Sequence, residues 1–397
     1  MSTRPPIIAL APNDWTGKRL NRQHILSRLA ARGWPVVYST GALSVWDRGS
    51  SRWAEAGWLN RFDSIEGVQV DRPGRLPPRW QRRPAWDHFV VRRHARRLLK
   101  RVKPTTAGVV CYLFHPEYWP YVEFIRPQYL VYHAFDAYDV MPGWSPQLAE
   151  WRNEALRRAD LRVVTFQGIT RFYPEELRES VRELQNGVDE IFFAGEPACP
   201  PDLARIPRPR IGYIGAINPK VDFKLLIEVA ASRPEWHWVV MGKSDLETEA
   251  AAGSHIDSMR AWHAFRALAN VHYLGVRPFA EVPAYASHMD VNTICYRTGT
   301  DGWWSFGSPN KLHEQLASGR PVVATPIETI RPFAHVVALA ETPAQWIEAI
   351  ECALVSGGVG TPEQRRAVAR QNTWERKVDV LEGWLEEMLR GRAPSGA

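Results

Sequence analysis

The chain has 397 residues, 45% of them hydrophobic and 23% charged, with 27 Gly and 31 Pro. This is the profile of a globular protein of two, at most three, domains, and it excludes disordered, collagen-like and repeat classes. The net charge of +7 is concentrated: Arg75 to Lys103 holds eleven Lys or Arg against one acid, Asp87, so this segment alone carries +10 and the remainder −3. A local basic patch points to a local anionic partner.

The four cysteines, Cys111, Cys199, Cys295 and Cys352, form no CxxC pair and have no His at ligand spacing, so neither structural zinc nor a disulfide framework is expected. The apolar run Ile7 to Ala11 is too short for a signal-peptide core, and no stretch approaches the roughly 18 apolar residues of a spanning helix. A cytoplasmic protein, or one peripheral on the inner face of the cell membrane, is expected.

In chain order, Ile7 to Ala11 reads as a strand, Gly17 to Arg32 as an amphipathic helix stopped by Gly33, and Val36 to Ser39 as a second strand. Strands at 108–114, 129–134 and 161–165 and helices at about 88–103 and 145–158 follow. Continuous apolar strands between helices imply a parallel sheet covered on both faces. From Phe193 to Pro209, Gly195 and five prolines crowd into a stretch that reads as the interdomain linker. The alternation then restarts with strands at 210–214, 237–241, 271–274, 290–294 and 322–325 and helices at 222–232, 279–287 and 308–318. The expectation is an α/β protein of two doubly wound Rossmann-like domains, 1–192 and 210–373, facing a central cleft. A C-terminal helix at about 374–390 is expected to pack back on the first domain. In such sheets ligands bind beyond the carboxyl ends of the strands.

Within the first domain, the loop Pro12-Asn13-Asp14-Trp15-Thr16-Gly17 follows the first strand, where Asn13 and Asp14 can contact an acceptor; capping of the helix by Asp14 or Thr16 is the simpler and favoured reading. The basic segment places Val91, Ala95, Leu98 and Val102 on one helical stripe and leaves Arg92, Arg93, Arg96, Arg97 and Lys100 for an anionic membrane surface. Its plainer reading is an apolar stripe on the sheet under solvated arginines. Tyr132-His133-Ala134-Phe135-Asp136-Ala137-Tyr138-Asp139 puts Asp136 at a strand's carboxyl end. A carboxylate there is the simplest base for an acceptor hydroxyl, with Asp139 or His133 as substitutes; capping by Asp139 and a packed core His133 are the alternatives. The DxxD spacing alone is too sparse for a metal site.

In the second domain, Ile211-Gly212-Tyr213-Ile214-Gly215-Ala216-Ile217 leads into Asn218-Pro219-Lys220. It does not reproduce GxGxxG, but Gly215 lets backbone approach a phosphate and Lys220 can neutralise a leaving diphosphate. Gly242-Lys243 and Leu274-Gly275-Val276-Arg277-Pro278 make similar turns. The sharpest segment is Gly307-Ser308-Pro309-Asn310-Lys311-Leu312-His313-Glu314, continuing to Val323. Ser308 suits an N-cap, Pro309 the first helical position and Gly319 the stop, which predicts about eleven helical residues with a phosphate seat at the first turn. Asn310, Lys311 and Glu314 share one face; a surface Lys311–Glu314 pair explains two of them without any ligand.

This segment, with Gln185-Asn186-Gly187-Val188-Asp189 and the 211–217 strand, resembles the GT-B glycosyltransferases, near family 4 and the teichuronic-acid and GumK-like exopolysaccharide branch. The resemblance is strong from about 185 to 326. It implies a UDP- or GDP-linked sugar on the second domain without a catalytic metal or other cofactor, and an acceptor approaching from the first. By resemblance, Glu314 holds the ribose hydroxyls, Lys311 the diphosphate, loop 215–220 approaches the phosphates from the opposite side, and the Val276-Arg277 turn lies near the nucleobase. Retaining members carry a second Glu eight positions before the ribose Glu; here that position is Phe306, and the nearest upstream acid is Asp301. Trp303 and Trp304 just ahead of the helix suit sugar stacking or core packing. Sugar-nucleotide epimerases and phosphorylases share this fold, and a polyanion or nucleic-acid binder using 75–103 is the reading from another class.

Overall fold

The computed structural model describes residues 4–17, 19–195, 197–251, 253–299 and 307–391. The chain divides into two compact units, Met1–Gln185 together with Glu375–Ala397, and Asn186–Trp374. Asp301, Trp303, Trp304 and Phe306 lie outside the described residues.

The first unit runs β1 (Ile7–Leu10), α1 (Asn21–Ala31), β2 (Val36–Ser39), α2 (Ser51–Glu55), β3 (Arg61–Ile65), β4 (Val68–Arg72), α3 (Pro84–Val102), β5 (Val110–Leu113), α4 (Trp119–Ile125), β6 (Tyr129–Ala134), α5 (Pro146–Arg158), β7 (Leu161–Val164) and β8 (Val181–Glu183). The sheet order is β3-β4-β2-β1-β5-β6-β7-β8, parallel except for β3, which pairs antiparallel with β4. Every residue of β1, β2 and β5 is buried, as expected of central strands covered on both faces. The order reverses between β1 and β5, so the loops after these strands flank the switch point where such sheets take ligands.

The second unit runs α6 (Pro201–Ala204), β9 (Arg210–Ile214), α7 (Phe223–Ser232), β10 (His237–Met241), α8 (Leu246–Ala251), α9 (Ile256–Arg266), β11 (Val271–Gly275), α10 (Val282–Ser287), β12 (Val291–Ile294), α11 (Lys311–Ala317), β13 (Val322–Ala324), β14 (Ala338–Leu339), α12 (Pro343–Ser356) and α13 (Pro362–Gln371). Its six strands, β11-β10-β9-β12-β13-β14, are parallel, with the switch point between β9 and β12. The proline-rich stretch 193–209 lies inside this unit, where Leu203 and Ile206 pack with Ile214, Val239 and Met289.

The QNGVD segment brackets the start of the second unit to its end. Val188 N–H donates to Asn372 O at 2.9 Å and Trp374 N–H donates back to Val188 O at 3.0 Å. A Cβ on Gly187 would sit 2.8 Å from Trp374 N, so only glycine fits this approach. The chain then continues as α14 (Trp374–Gly391), whose Val378, Leu381 and Leu385 are buried. Arg32 pairs with Glu375, Asp379 and Glu382 of this helix, and Arg4 with Glu382 and Glu386. No helix among the described residues is long and apolar enough to cross a membrane.

Candidate active site

Three segments of the second unit meet at the carboxyl ends of β9 and β10. The Lys311 side chain is buried at 8% exposure. It runs over the rings of Tyr213, 4.1 Å from Nζ to centroid, and Tyr296, 5.2 Å. Nζ donates to Tyr213 Oη at 3.0 Å, and Tyr213 Oη donates to Ala216 O at 2.9 Å, so the ammonium is wired to the loop after β9. A Cβ on Gly215 would stand 2.4 Å from Nζ, and a Cβ on Gly242 would stand 1.9 Å from Gly215 O. Both glycines have positive φ, +149° and +146°. They are required here for space as much as for conformation. Their amides are already spent, Gly215 N–H on Met241 O and Gly242 N–H on Gly275 O, so these turns contribute room rather than donors.

The helix that carries Lys311 is shorter than the sequence pattern predicts. α11 has seven residues, and its N-cap is Asn310, in right-handed helical conformation and without a side-chain cap bond. Ser308 does not cap: its carbonyl accepts from Asn186 Nδ2 at 3.0 Å, which ties the segment ahead of the helix to the QNGVD turn. Pro309 lies outside the helix, accepting from Leu312 N–H at 3.2 Å. The short helix leaves little macrodipole to rely on, so the positive charge comes from the Lys311 ammonium. Glu314 is half-buried on the same turn. It lies close to Tyr296, whose phenol is raised above its ordinary pKa first by burial and then by the Glu314 charge.

Lys220, half-buried, ends the β9 loop, with its N–H on Asn218 Oδ1 and its carbonyl accepting from Arg297 N–H. Lys243 is exposed and pairs with Asp245 at 2.7 Å. At the third turn Val276 is exposed, whereas Arg277 is tied to Asp202 at 2.7 Å and to Tyr285 Oη at 3.0 Å. Arg277 thus braces α10 to α6.

Asp136 of the first unit is half-buried beyond the end of β6, its carbonyl accepting from Tyr138 N–H. Its two substitutes are corrected by the packing. His133 is fully buried between Phe114 and Phe135 with Nδ1 on Tyr112 Oη at 2.8 Å, and burial pulls its pKa down to about 3. The strand pleat points it into the packed interior. Asp139 is paired with Arg152 of α5, and burial raises its carboxyl. Asn13 and Asp14 are exposed on the loop after β1; Asn13 Oδ1 accepts from Arg22, and the Asp14 carbonyl from Gln23, so neither side chain caps α1.

Arg22 escaped the sequence reading because an arginine in the first turn of a surface-patterned helix looks solvated. It is 5% exposed, stacks on Phe135 at 5.3 Å, and its Nε has no partner among the described residues. Among the described residues no three His, Cys, Asp or Glu side chains converge to hold an ion.

Of the five cations expected at a surface, Arg97 is withdrawn: it pairs with the fully buried Asp71 and lies on Phe62. Arg92, Arg93 and Arg96 are exposed, as is Lys100.

Residues 208–355 match the family described as "Glycosyl transferases group 1". The chain carries a glycosyl transferases group 1 domain. It comprises the second unit's sheet from β9 to β14 and therefore the Gly215, Gly242 and Lys311 cluster. TuaH of Bacillus subtilis (strain 168), named as a teichuronic acid biosynthesis glycosyltransferase, is 29% identical over 252 residues, 58% of this chain. The chain spans 60% of that relative's length. Anabaena HepE in complex with UDP and glucose superposes with a TM-score of 0.66 at 13% identity, covering 97% of this chain and all of that one. Sucrose-phosphate synthase of Thermosynechococcus elongatus gives 0.68 at 15% identity over 98% of this chain and 100% of its own. A UDP-forming α,α-trehalose-phosphate synthase of Burkholderia vietnamiensis gives 0.69 at 12% over 99% and 100%. The fold is GT-B.

Proposed function

We propose that this chain is a glycosyltransferase that moves a sugar from a UDP- or GDP-linked donor to a hydroxyl of a saccharide or lipid-linked acceptor, in polysaccharide or glycolipid synthesis at the inner face of the membrane. The observation that carries the reading is the Lys311 ammonium held against the Cβ-free face of Gly215. A lysine ammonium is a donor suited to an incoming oxyanion, and the missing Cβ of Gly215 is what lets the ammonium sit against the loop after β9. The group 1 glycosyltransferase family match covers this cluster, and HepE was crystallised with UDP and glucose.

In this reading Glu314 binds the ribose hydroxyls and Ser308 and Asn310 line the donor. The acceptor oxygen attacks the anomeric carbon as the bond from that carbon to the diphosphate breaks, the electron pair leaving with the diphosphate. Lys311 and Lys220 stabilise the charge that develops there. Asp136 takes the acceptor proton when configuration inverts, and Asn13 and Asp14 border the acceptor. Arg92, Arg93, Arg96 and Lys100 face anionic lipid, each worth about 1 kcal/mol near such a surface.

Calorimetric titration of UDP, GDP and ADP against the native chain and Glu314→Ala tests the donor assignment. One nucleotide is expected to weaken at least tenfold, about 1.4 kcal/mol. Unchanged affinity for all three refutes it. Donor consumption that is independent of added acceptor points instead to an epimerase or a phosphorylase.

A further inference from the structure

Five arginines among the described residues are buried: Arg22, Arg79, Arg152, Arg210 and Arg365. Burying a guanidinium is costly unless its charge is paired or its donors are spent on carbonyls, and four of the five meet that condition. Arg79 is paired with Asp87 at 2.8 Å, and Arg152 with Asp139. Arg210 donates to Ile206 O at 2.8 Å and Ala204 O at 3.4 Å, and Arg365 donates to the carbonyls of Gly319, Val359 and Gly360. Arg22 is the exception. Among the described residues it has neither an acidic partner nor a carbonyl: Nη1 donates to Asn13 Oδ1, the Tyr38 hydroxyl lies beside it, and the buried Nε meets no acceptor.

The groups around this guanidinium come from the carboxyl ends of four strands of the first sheet, about its switch point, where such sheets take ligands. Asn13 follows β1, Tyr38 belongs to the last turn of β2, His115 follows β5, and Phe135, over whose ring Arg22 lies, follows β6. The charge is felt there without a counter-charge of its own. Burial lowers the His115 pKa, and Arg22 adds to that against the pull of Glu117. Asp136, the proposed base, is the next residue after Phe135.

The one side-chain oxygen that Arg22 holds through Nη1 is neutral and stands on an exposed residue. A carboxylate or phosphate oxygen makes the stronger, charge-assisted bond and displaces an amide oxygen from a guanidinium. Tyr38 Oη donates to the Asn13 carbonyl, so the loop backbone is held and only the Asn13 side chain need turn away.

We infer that Arg22 receives an oxyanion, a carboxylate or a phosphate, carried by the acceptor saccharide, so that the enzyme selects an acidic sugar over a neutral one. This rests on the glycosyltransferase reading and deepens it by giving the acceptor its charge. A role confined to packing against Phe135 would need no charge, and an apolar side chain would serve it better.

Calorimetry on the full chain with glucose, glucuronate and glucose 6-phosphate tests it, with UDP or GDP at saturation to fill the phosphate position proposed at Lys311. At least one of the two acids is expected to bind about tenfold or more tightly than glucose, and which one does so tells a carboxylate from a phosphate. Arg22→Met should erase that preference while the melting temperature stays level or rises, because an unpaired buried charge is removed. Asn13→Asp, an isosteric change on an exposed loop, gives the guanidinium a carboxylate of its own; it should raise the melting temperature and abolish the preference as well. Affinity for both acids no better than for glucose overturns the inference, and so does a preference that survives either substitution. A melting temperature that falls in Arg22→Met makes the arginine a structural residue and overturns it too. Failure of both nucleotides to bind is failure of the donor reading, and the three sugars still report on Arg22 by the same criteria.

Discussion

Replacing Lys311 by Met keeps the length of the side chain and removes only its charge and donors. In the native chain the ammonium donates to Tyr213 Oη, and that hydroxyl keeps its own acceptor at Ala216 O. Loss of the lysine therefore strands no buried polar group on Tyr213. A charge-assisted hydrogen bond to a phosphate contributes about 1.5–3 kcal/mol, so UDP affinity should fall roughly 10- to 150-fold. Where the charge develops on the leaving group the loss is larger, on the order of 10²–10³ in kcat. Stability should move the other way or stay level, because an apolar residue of similar volume in place of a buried ion is neutral or stabilising by about 1–4 kcal/mol. Calorimetry with UDP and a thermal melt of the same preparation decide it. A UDP affinity within threefold of native, or a melting point that falls with affinity intact, makes Lys311 a packing residue and would falsify its assignment as the phosphate ligand.

Asp136→Asn should lower kcat by about 10²–10⁴ while leaving UDP affinity unchanged, measured by initial rates and titration side by side; a mere KM effect speaks against a base. Gly242→Ala drives a methyl to 1.9 Å from Gly215 O at a φ of +146°, and guanidinium unfolding should show a loss of about 3 kcal/mol. Arg365 is 1% exposed and donates to the carbonyls of Gly319, Val359 and Gly360, so Arg365→Met leaves them unsatisfied and should cost about 2–4 kcal/mol by the same measurement. His133 sits near pKa 3 in the fold against 6.5 in the open chain. The unfolded state therefore binds the extra proton between those values, and stability should fall as pH drops from about 6.5 toward 3, by a few kcal/mol in total. Asp71, held below the ordinary carboxylate range against desolvation by His94 and Arg97, pushes in the same direction. Unfolding curves of His133→Asn across that range should be visibly flatter; an identical slope rejects the buried neutral histidine.

The central strands were legible because covering both faces of a parallel sheet demands uninterrupted apolar runs, as in Ile7–Leu10 and Val110–Leu113. The hairpin β3–β4 was not, since Arg61–Ile65 is an exposed edge strand carrying Arg61 and Asp63 and shows no buried face to read. Gly215, Lys311 and Glu314, proposed for the donor, were visible as glycine after a strand and charge at a helix start, which are local signals. Their convergence was not local. Lys311 meets Tyr213 across 98 positions, and the two positive-φ glycines abut only because β9 and β10 are neighbours in the sheet. Tertiary structure likewise separated side chains that look alike in sequence. It buried His133 by the pleat of β6, spent Asp139 on Arg152 and Arg97 on Asp71, and left Arg93, Arg96 and Lys100 outside. Composition and periodicity determine which segments can form elements, because those depend on neighbours a few residues away. Which charges are neutralised and which remain available depends on partners brought together by the packed sheet, and spacing along the chain carries no record of them.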